Sequence, residues 1–180
     1  MHANDPPLIR RTPVVVRRGR AGDTAAITAI YNEGIRERGA TFETRERDVD
    51  EIRAWFASEH HPLLVAEDEL GGHVAGWIAA SRYRDRECYR GIAEFSIYVA
   101  GSARARGVGD ALMSAFIPAL SEAGFWKVLS RIFPENSASR ALCARHGFRE
   151  VGVYQKHAQL DGEWRDVLVV ERLLYRSEGR

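Results

Sequence analysis

The stretch that most limits what this chain can fold into runs from Ala93 to Ala111, AEFSIYVAGSARARGVGDA. An alternating strand from Ile92 to Val99 leads into a short polar loop holding Arg104, Arg106, Gly107 and Gly109. An amphipathic helix follows, Gly109 to Ala123, with Leu112, Met113, Phe116, Ile117 and Leu120 as its apolar stripe. N–H groups at a helix start lack partners inside the helix, and the dipole there favours anions. Glycine lets the backbone approach a ligand closely. The stretch therefore reads as a phosphate cradle, although by itself it fits a tight turn on a solvated basic loop equally well. No Gly-Lys-Ser/Thr follows, so it is not a Walker loop. The dinucleotide fingerprint would need a third glycine or alanine and a β-α-β unit at the chain start.

The rest of the pattern surrounds this unit. Val14 to Arg18 reads as a strand. Asp23 is placed to cap a helix with Ala26, Ile27, Ile30, Tyr31 and Ile35 at helical spacing, stopped by Gly39. A second helix is expected over Val49 to Ser58, ended by His60, His61 and Pro62. Adjacent histidines cannot chelate from one helix face, so they read as a terminus and no metal site is expected. Leu63 to Glu67 and Val74 to Ser81 form a hairpin. After the cradle helix, capped by Gly124, Lys127 to Phe133 is a strand. Asn136 caps a helix that stops at Gly147, and Phe148 to Tyr154 and Val167 to Leu174 are the last strands. Strand runs mixed with crossovers predict an α/β (α+β) fold with a mixed sheet.

One domain is expected over residues 14–176, behind a loosely ordered, proline-containing leader at 1–13; 180 residues suffice for one core. The formal net charge is +1, which offers no basic field for nucleic acid. No apolar run approaches a membrane span. Cys88 and Cys143 make neither a disulfide framework nor a metal spacing, and a cytoplasmic location is expected.

Two motifs together carry a resemblance. Arg104-x-x-Gly107-x-Gly109 is similar to the cofactor loop of the GCN5-related N-acetyltransferases, the GNAT superfamily. Asn136-x-x-Ser139-x-x-Leu142-Cys143-x-x-His146-Gly147-Phe148 resembles that family's second cofactor element. The segments YNEGI, ATFET, RYRDR, EFSIYV, RIFPEN and DGEWRDV further resemble phosphinothricin N-acetyltransferases, most of all the branch acting on arsinothricin.

The resemblance implies a mostly antiparallel sheet of about seven strands with about four helices and a splay between central strands. It implies acetyl-CoA as co-substrate and direct transfer to the α-amine of a glutamate-like amino acid, which would confer resistance. Relatives acting on methionine sulfoximine, and GNAT enzymes acting on polyamines or protein N-termini, remain alternatives. So does a non-catalytic acyl-CoA sensor. The family's general base falls on Glu94. Cofactor contacts fall on the main chain of Ile97, Tyr98 and Val99, on Arg104, Ala105, Arg106, Gly107, Val108, Gly109 and Asp110, and on Asn136 and Ser139. Oxyanion donors are expected around Tyr98 and Val99. Substrate contacts are expected from Tyr83, Arg84 and Arg86, from Tyr31, Phe42 and Glu43 opposite, and from His157. The family's tyrosine acid is replaced by Cys143, leaving water or Tyr154 to serve, or no acid at all. Homodimers are typical of these relatives.

Overall fold

The structure, a computed structural model, describes residues 14–57, 61–68 and 72–174. The expected leader, His60 and the end of the second helix at Ser58 lie outside them. Seven strands form one sheet: β1 (Val14–Arg18), β2 (Leu63–Asp68), β3 (Val74–Arg82), β4 (Ile92–Val99), β5 (Lys127–Ile132), β6 (Arg149–Leu160) and β7 (Glu163–Leu173). Their spatial order is β1-β2-β3-β4-β5-β7-β6. Only β4 and β5 run parallel, joined through the cradle helix, as a crossover connection requires.

Helices α1 (Thr24–Glu37) and α2 (Val49–Arg53) cover one face. Ile27, Ile30 and Ile52 pack there on Val65 and Trp77 of the sheet. Helices α3 (Val108–Glu122) and α4 (Ser137–Arg145) cover the other. The α3 stripe of Leu112, Met113, Phe116 and Leu120 is fully buried with Phe95, Leu142 and Phe148. Each such side chain contributes roughly 1.5–3 kcal/mol by leaving water.

Several local expectations are revised. Asp23 precedes α1, but its carboxylate makes no cap bond to that helix. It turns back to accept Nη1 and Nη2 of Arg17 at 2.8 and 2.9 Å and the Arg20 N–H at 2.7 Å. The α1 stop is Arg38, in the left-handed region at φ 57°, not Gly39. The second helix is one α-turn with an Asp48–Glu51 capping box, tightening to a 3-10 turn over Ala54–Ala57. β6 continues to Leu160, well past Tyr154, and β7 begins at Glu163.

Candidate active site

β4 and β5 pair over only three residues, Ile92–Glu94 against Lys127–Leu129. Beyond Glu94 they part. Ser130 Oγ donates to the Phe95 carbonyl at 2.9 Å where the gap opens, satisfying a group that the parallel ladder no longer pairs. The gap is lined by Glu94, Ser96, Ile97, Arg131, Asn136 and Cys143, among others. It runs into a cleft of about 550 Å³ between the cradle loop and the α4 start.

The direction of the β4 backbone follows from its ladder with β3. The Ala100 N–H bonds the Ala75 carbonyl, and the register continues unbroken from Val99↔Gly76 to Ala93↔Arg82. Antiparallel pairing alternates, so the N–H groups of Tyr98 and Ser96 also face β3. Those of Ile97 and Val99 face the gap. The main-chain donor expected at Tyr98 therefore moves to Ile97. Tyr98 contributes its side chain instead, with its ring stacked 5.0 Å from Trp77. Gly34 of α1 admits that ring: a Cβ there would sit 2.6 Å from it.

The cradle is built as its residues require. Ala105 and Gly107 have φ of 57° and 88°, a reversal that turns successive N–H groups to one side. Gly107 is the α3 N-cap, so the N–H groups of Val108, Gly109 and Asp110 have no partner within the helix. At Gly109 a Cβ would lie at ordinary contact distance from Leu142, 3.4 Å, so the loop packs directly on α4. Arg104 donates Nε to the Val99 carbonyl at 3.1 Å and pairs with Glu37 at 2.8 Å. Arg106 donates to the Ser102 carbonyl. An acid in the first turn would repel a phosphate, but Asp110 is neutralised by a two-pronged contact to Arg145, both bonds 3.0 Å, and by His146 at 3.2 Å. These partners hold the Asp110 carboxyl below its usual range. Arg145, which the sequence reading missed, lines the cleft with it. Asn136 Oδ1 accepts the Ser139 N–H at 3.0 Å, and its Nδ2 donates to the Gly39 carbonyl, so one side chain caps α4 and ties it to the loop after α1.

Glu94 stands where the strands part. Burial pushes its pKa up, and the guanidinium of Arg131, 2.7 Å away, pulls partly the other way. Cys143 is buried in the same gap, and burial alone pushes its thiol up to about 11.

On the α1 face, a second cavity of about 500 Å³ lies across Ser96 from the gap. Tyr31, Trp55, Trp77, Ala79, Ser81 and Arg82 line it. Trp77 is fully buried, and its Nε1 has no hydrogen-bond partner among the described residues. Of the residues expected to contact substrate, Tyr31 lines this cavity. Phe42 instead packs edge-on against Phe133 at 4.9 Å, and Glu43 pairs with Arg47 at 2.6 Å. Tyr83, Arg84, Arg86 and His157 line neither cavity; within the 82–86 segment the arginine that lines the aromatic cavity is Arg82. Arg84 lies 5.1 Å over the Tyr83 ring. Tyr154 stacks on His157 at 5.0 Å within β6. Arg86 is exposed.

A strand pair parting beside a helix-capped phosphate cradle defines a cleft for the pyrophosphate and extended arm of an acyl carrier. Residues 27–148 match the acetyltransferase (GNAT) family. A phosphinothricin N-acetyltransferase of Streptomyces coelicolor is 35% identical over 167 residues, 89% of this chain and 96% of its own length. An L-methionine sulfoximine/L-methionine sulfone acetyltransferase of Pseudomonas aeruginosa is 31% identical over 159 residues, 87% and 92% of the two chains. A solved GNAT superfamily phosphinothricin acetyltransferase of Sinorhizobium meliloti, in complex with AcCoA, has a TM-score of 0.84 at 32% identity, covering 89% of this chain and 88% of that one. The chain belongs to the acetyltransferase (GNAT) family. It is an N-acetyltransferase with the mixed seven-stranded sheet of that fold. No helix among the described residues is long and apolar enough to cross a membrane.

Proposed function

We propose that this enzyme transfers the acetyl group of acetyl-CoA to the α-amino group of a glutamate-like amino acid whose side chain ends in a tetrahedral oxyanion, of the phosphinothricin or arsinothricin type. Blocking that amine would confer resistance to such an antibiotic. The observation that carries this reading is Glu94: a carboxylate of raised pKa at the opening between the cofactor cleft and a separate side-chain cavity.

The residues fit acetyl-CoA. The nest at Ala105 and Gly107 and the free N–H groups of Val108, Gly109 and Asp110 suit its pyrophosphate, with Arg104 and Arg106 beside them. The N–H groups of Ile97 and Val99 suit the amides of its arm, and Asn136 and Ser139 close the far wall. When bound, it supplies the acetyl thioester. Glu94 accepts a proton from the substrate ammonium, directly or through a water, leaving a neutral amine to form the N–C bond as the C–S bond breaks. The gap-facing N–H of Ile97 is placed to donate to the carbonyl oxygen as charge develops there. Cys143 is a poor acid for the departing thiolate. Its pKa of about 11 lies well above the ~8.5 of a free thiol, so the transfer is uphill. As the amide forms the nitrogen sheds its second proton to water, and the departing thiolate leaves unaided or takes up a proton from that water.

The cavity walled by Tyr31, Trp55 and Trp77 favours a second reading of the side chain, the uncharged sulfone or sulfoximine of a methionine derivative. Such a group offers a methyl to the aromatic rings that wall the cavity. In either reading the enzyme works as a homodimer joined along β6. The test is CoA release with acetyl-CoA and a panel: phosphinothricin, arsinothricin, methionine sulfone, glutamate, spermidine and a short peptide. Turnover on the first three, with little on glutamate, is the expected result. Turnover confined to spermidine or peptide would overturn the amino-acid reading.

A further inference from the structure

Arg131 is a residue to which neither the motifs nor the cradle assign a role. It lies on β5 one alternation beyond Leu129, which is the register partner of Glu94, so it shares the Glu94 face of the sheet. Its Nη2 donates to Glu94 Oε2 at 2.7 Å across the opening of the gap. The two side chains are 43% and 23% exposed. A pair this open to solvent holds the fold only weakly, so its partners are available for exchange.

An isolated base has no need of an adjacent guanidinium. A cation beside it favours the ionised form and opposes the burial that raises its pKa. The pair makes sense as the complement of something with both charges. An α-amino acid zwitterion carries an ammonium and a carboxylate on one carbon atom. Laid across the pair, its ammonium meets Glu94, its carboxylate meets the guanidinium fork, and each charge trades one partner for another. From that carbon the side chain can pass over Ser96, which lines both the gap and the aromatic cavity.

We propose that Arg131 is the receptor for the α-carboxylate of the acceptor, so that this enzyme requires a free amino acid and rejects amines without an adjacent carboxylate. This rests on the acceptor reading above and goes beyond it. Peptide N-termini and polyamines are excluded by charge pattern. Arg82, which lines the aromatic cavity, is left for the distal group.

The test measures binding of phosphinothricin and of its α-carboxamide to the CoA-bound enzyme by calorimetry, and in parallel the kcat and KM for both. The phosphinate is common to the two ligands, so their difference isolates the carboxylate. Wild-type protein is expected to bind the acid roughly 10- to 100-fold more tightly than the amide, as a charge-assisted pair allows. Arg131→Gln is expected to erase that preference through KM, with CoA affinity unchanged. Arg131→Lys, which keeps the charge without the fork, is expected to retain part of it and serves if the glutamine variant fails to fold. Equal wild-type affinity for acid and amide would overturn the proposal. So would an Arg131→Gln loss of the same factor on both, which would place the arginine on the phosphinate or behind Glu94. Selective binding of the acid without acetyl transfer would instead overturn the acceptor reading and leave the carboxylate receptor standing.

Discussion

Glu94 has to be ionised to take a proton, and its surroundings oppose ionisation. Burial is the larger influence and Arg131 the smaller, so the carboxyl titrates above the ordinary ~4.3 of a glutamate. The sign of the pH dependence follows. As pH falls through that raised value Glu94 gains a proton, and kcat/KM falls with it. Arg131→Gln removes the favourable cation and should move this acidic limb to higher pH. Glu94→Gln removes the base and should lower kcat by about 10²–10⁴-fold, with acetyl-CoA affinity unchanged because the carboxylate lies outside the cradle. Pre-steady-state transfer assays with a fluorescence titration of CoA would check both. A loss of CoA binding in the variant would make Glu94 a structural residue. At this scale the sequence was legible where one residue type serves one need. A glutamate within an apolar strand, glycines before a helix and an asparagine cap could all be read. Arg131 and Arg145 could not, because an arginine is commonplace on any surface; what gives them meaning is a partner 37 or 35 positions away in the chain.

Among the elements, the β6–β7 hairpin is where strand periodicity misleads. Register slips between Glu150 and Gly152 and again between Tyr154 and Ala158, so the alternation breaks twice within one strand. The second bulge is closed by the Lys156 N–H on Asp166 Oδ1 at 2.7 Å, with Lys156 at φ 47°. It sets His157 onto Tyr154, the rings stacked 5.0 Å apart. Read by period alone, such a strand ends at Tyr154. The available signal was Asp161-Gly162, a two-residue turn with φ of 51° and 85° that only such residues form readily. Asp161 also carries the hairpin tip to Arg38 at the end of α1, 2.9 Å away. Gly162→Ala should place a Cβ in the left-handed region at a cost of roughly 1–2 kcal/mol, lowering Tm by about 2–8 °C in scanning calorimetry. An unchanged Tm would mean the turn relaxes to another type without loss. The β4–β5 splay belongs to this scale as well. The sequence places a strand on each side of the cradle helix, but where the ladder between them stops depends on contacts such as Ser130 Oγ on the Phe95 carbonyl, which no local pattern encodes.

For the whole molecule, the open question is what covers the sheet's two ends. β1 is a short edge of five residues with Arg17 and Arg18 at its close. β6 is a twelve-residue edge, exposed from Arg149 through His157, and it presents Val151, Val153 and Tyr154 at about half exposure, with Trp164 on the neighbouring strand. An edge of that length and apolarity is a template for another strand unless something occupies it, and the bulges only partly blunt it. A second copy meeting the same edge about a two-fold axis satisfies both surfaces at once. Sedimentation equilibrium at micromolar concentration should therefore give a dimer, and Val153→Asp, which sets a charge in that apolar strip, should shift it toward monomer. A wild-type monomer at those concentrations would remove the homodimer, and the exposure of β6 would then need another partner.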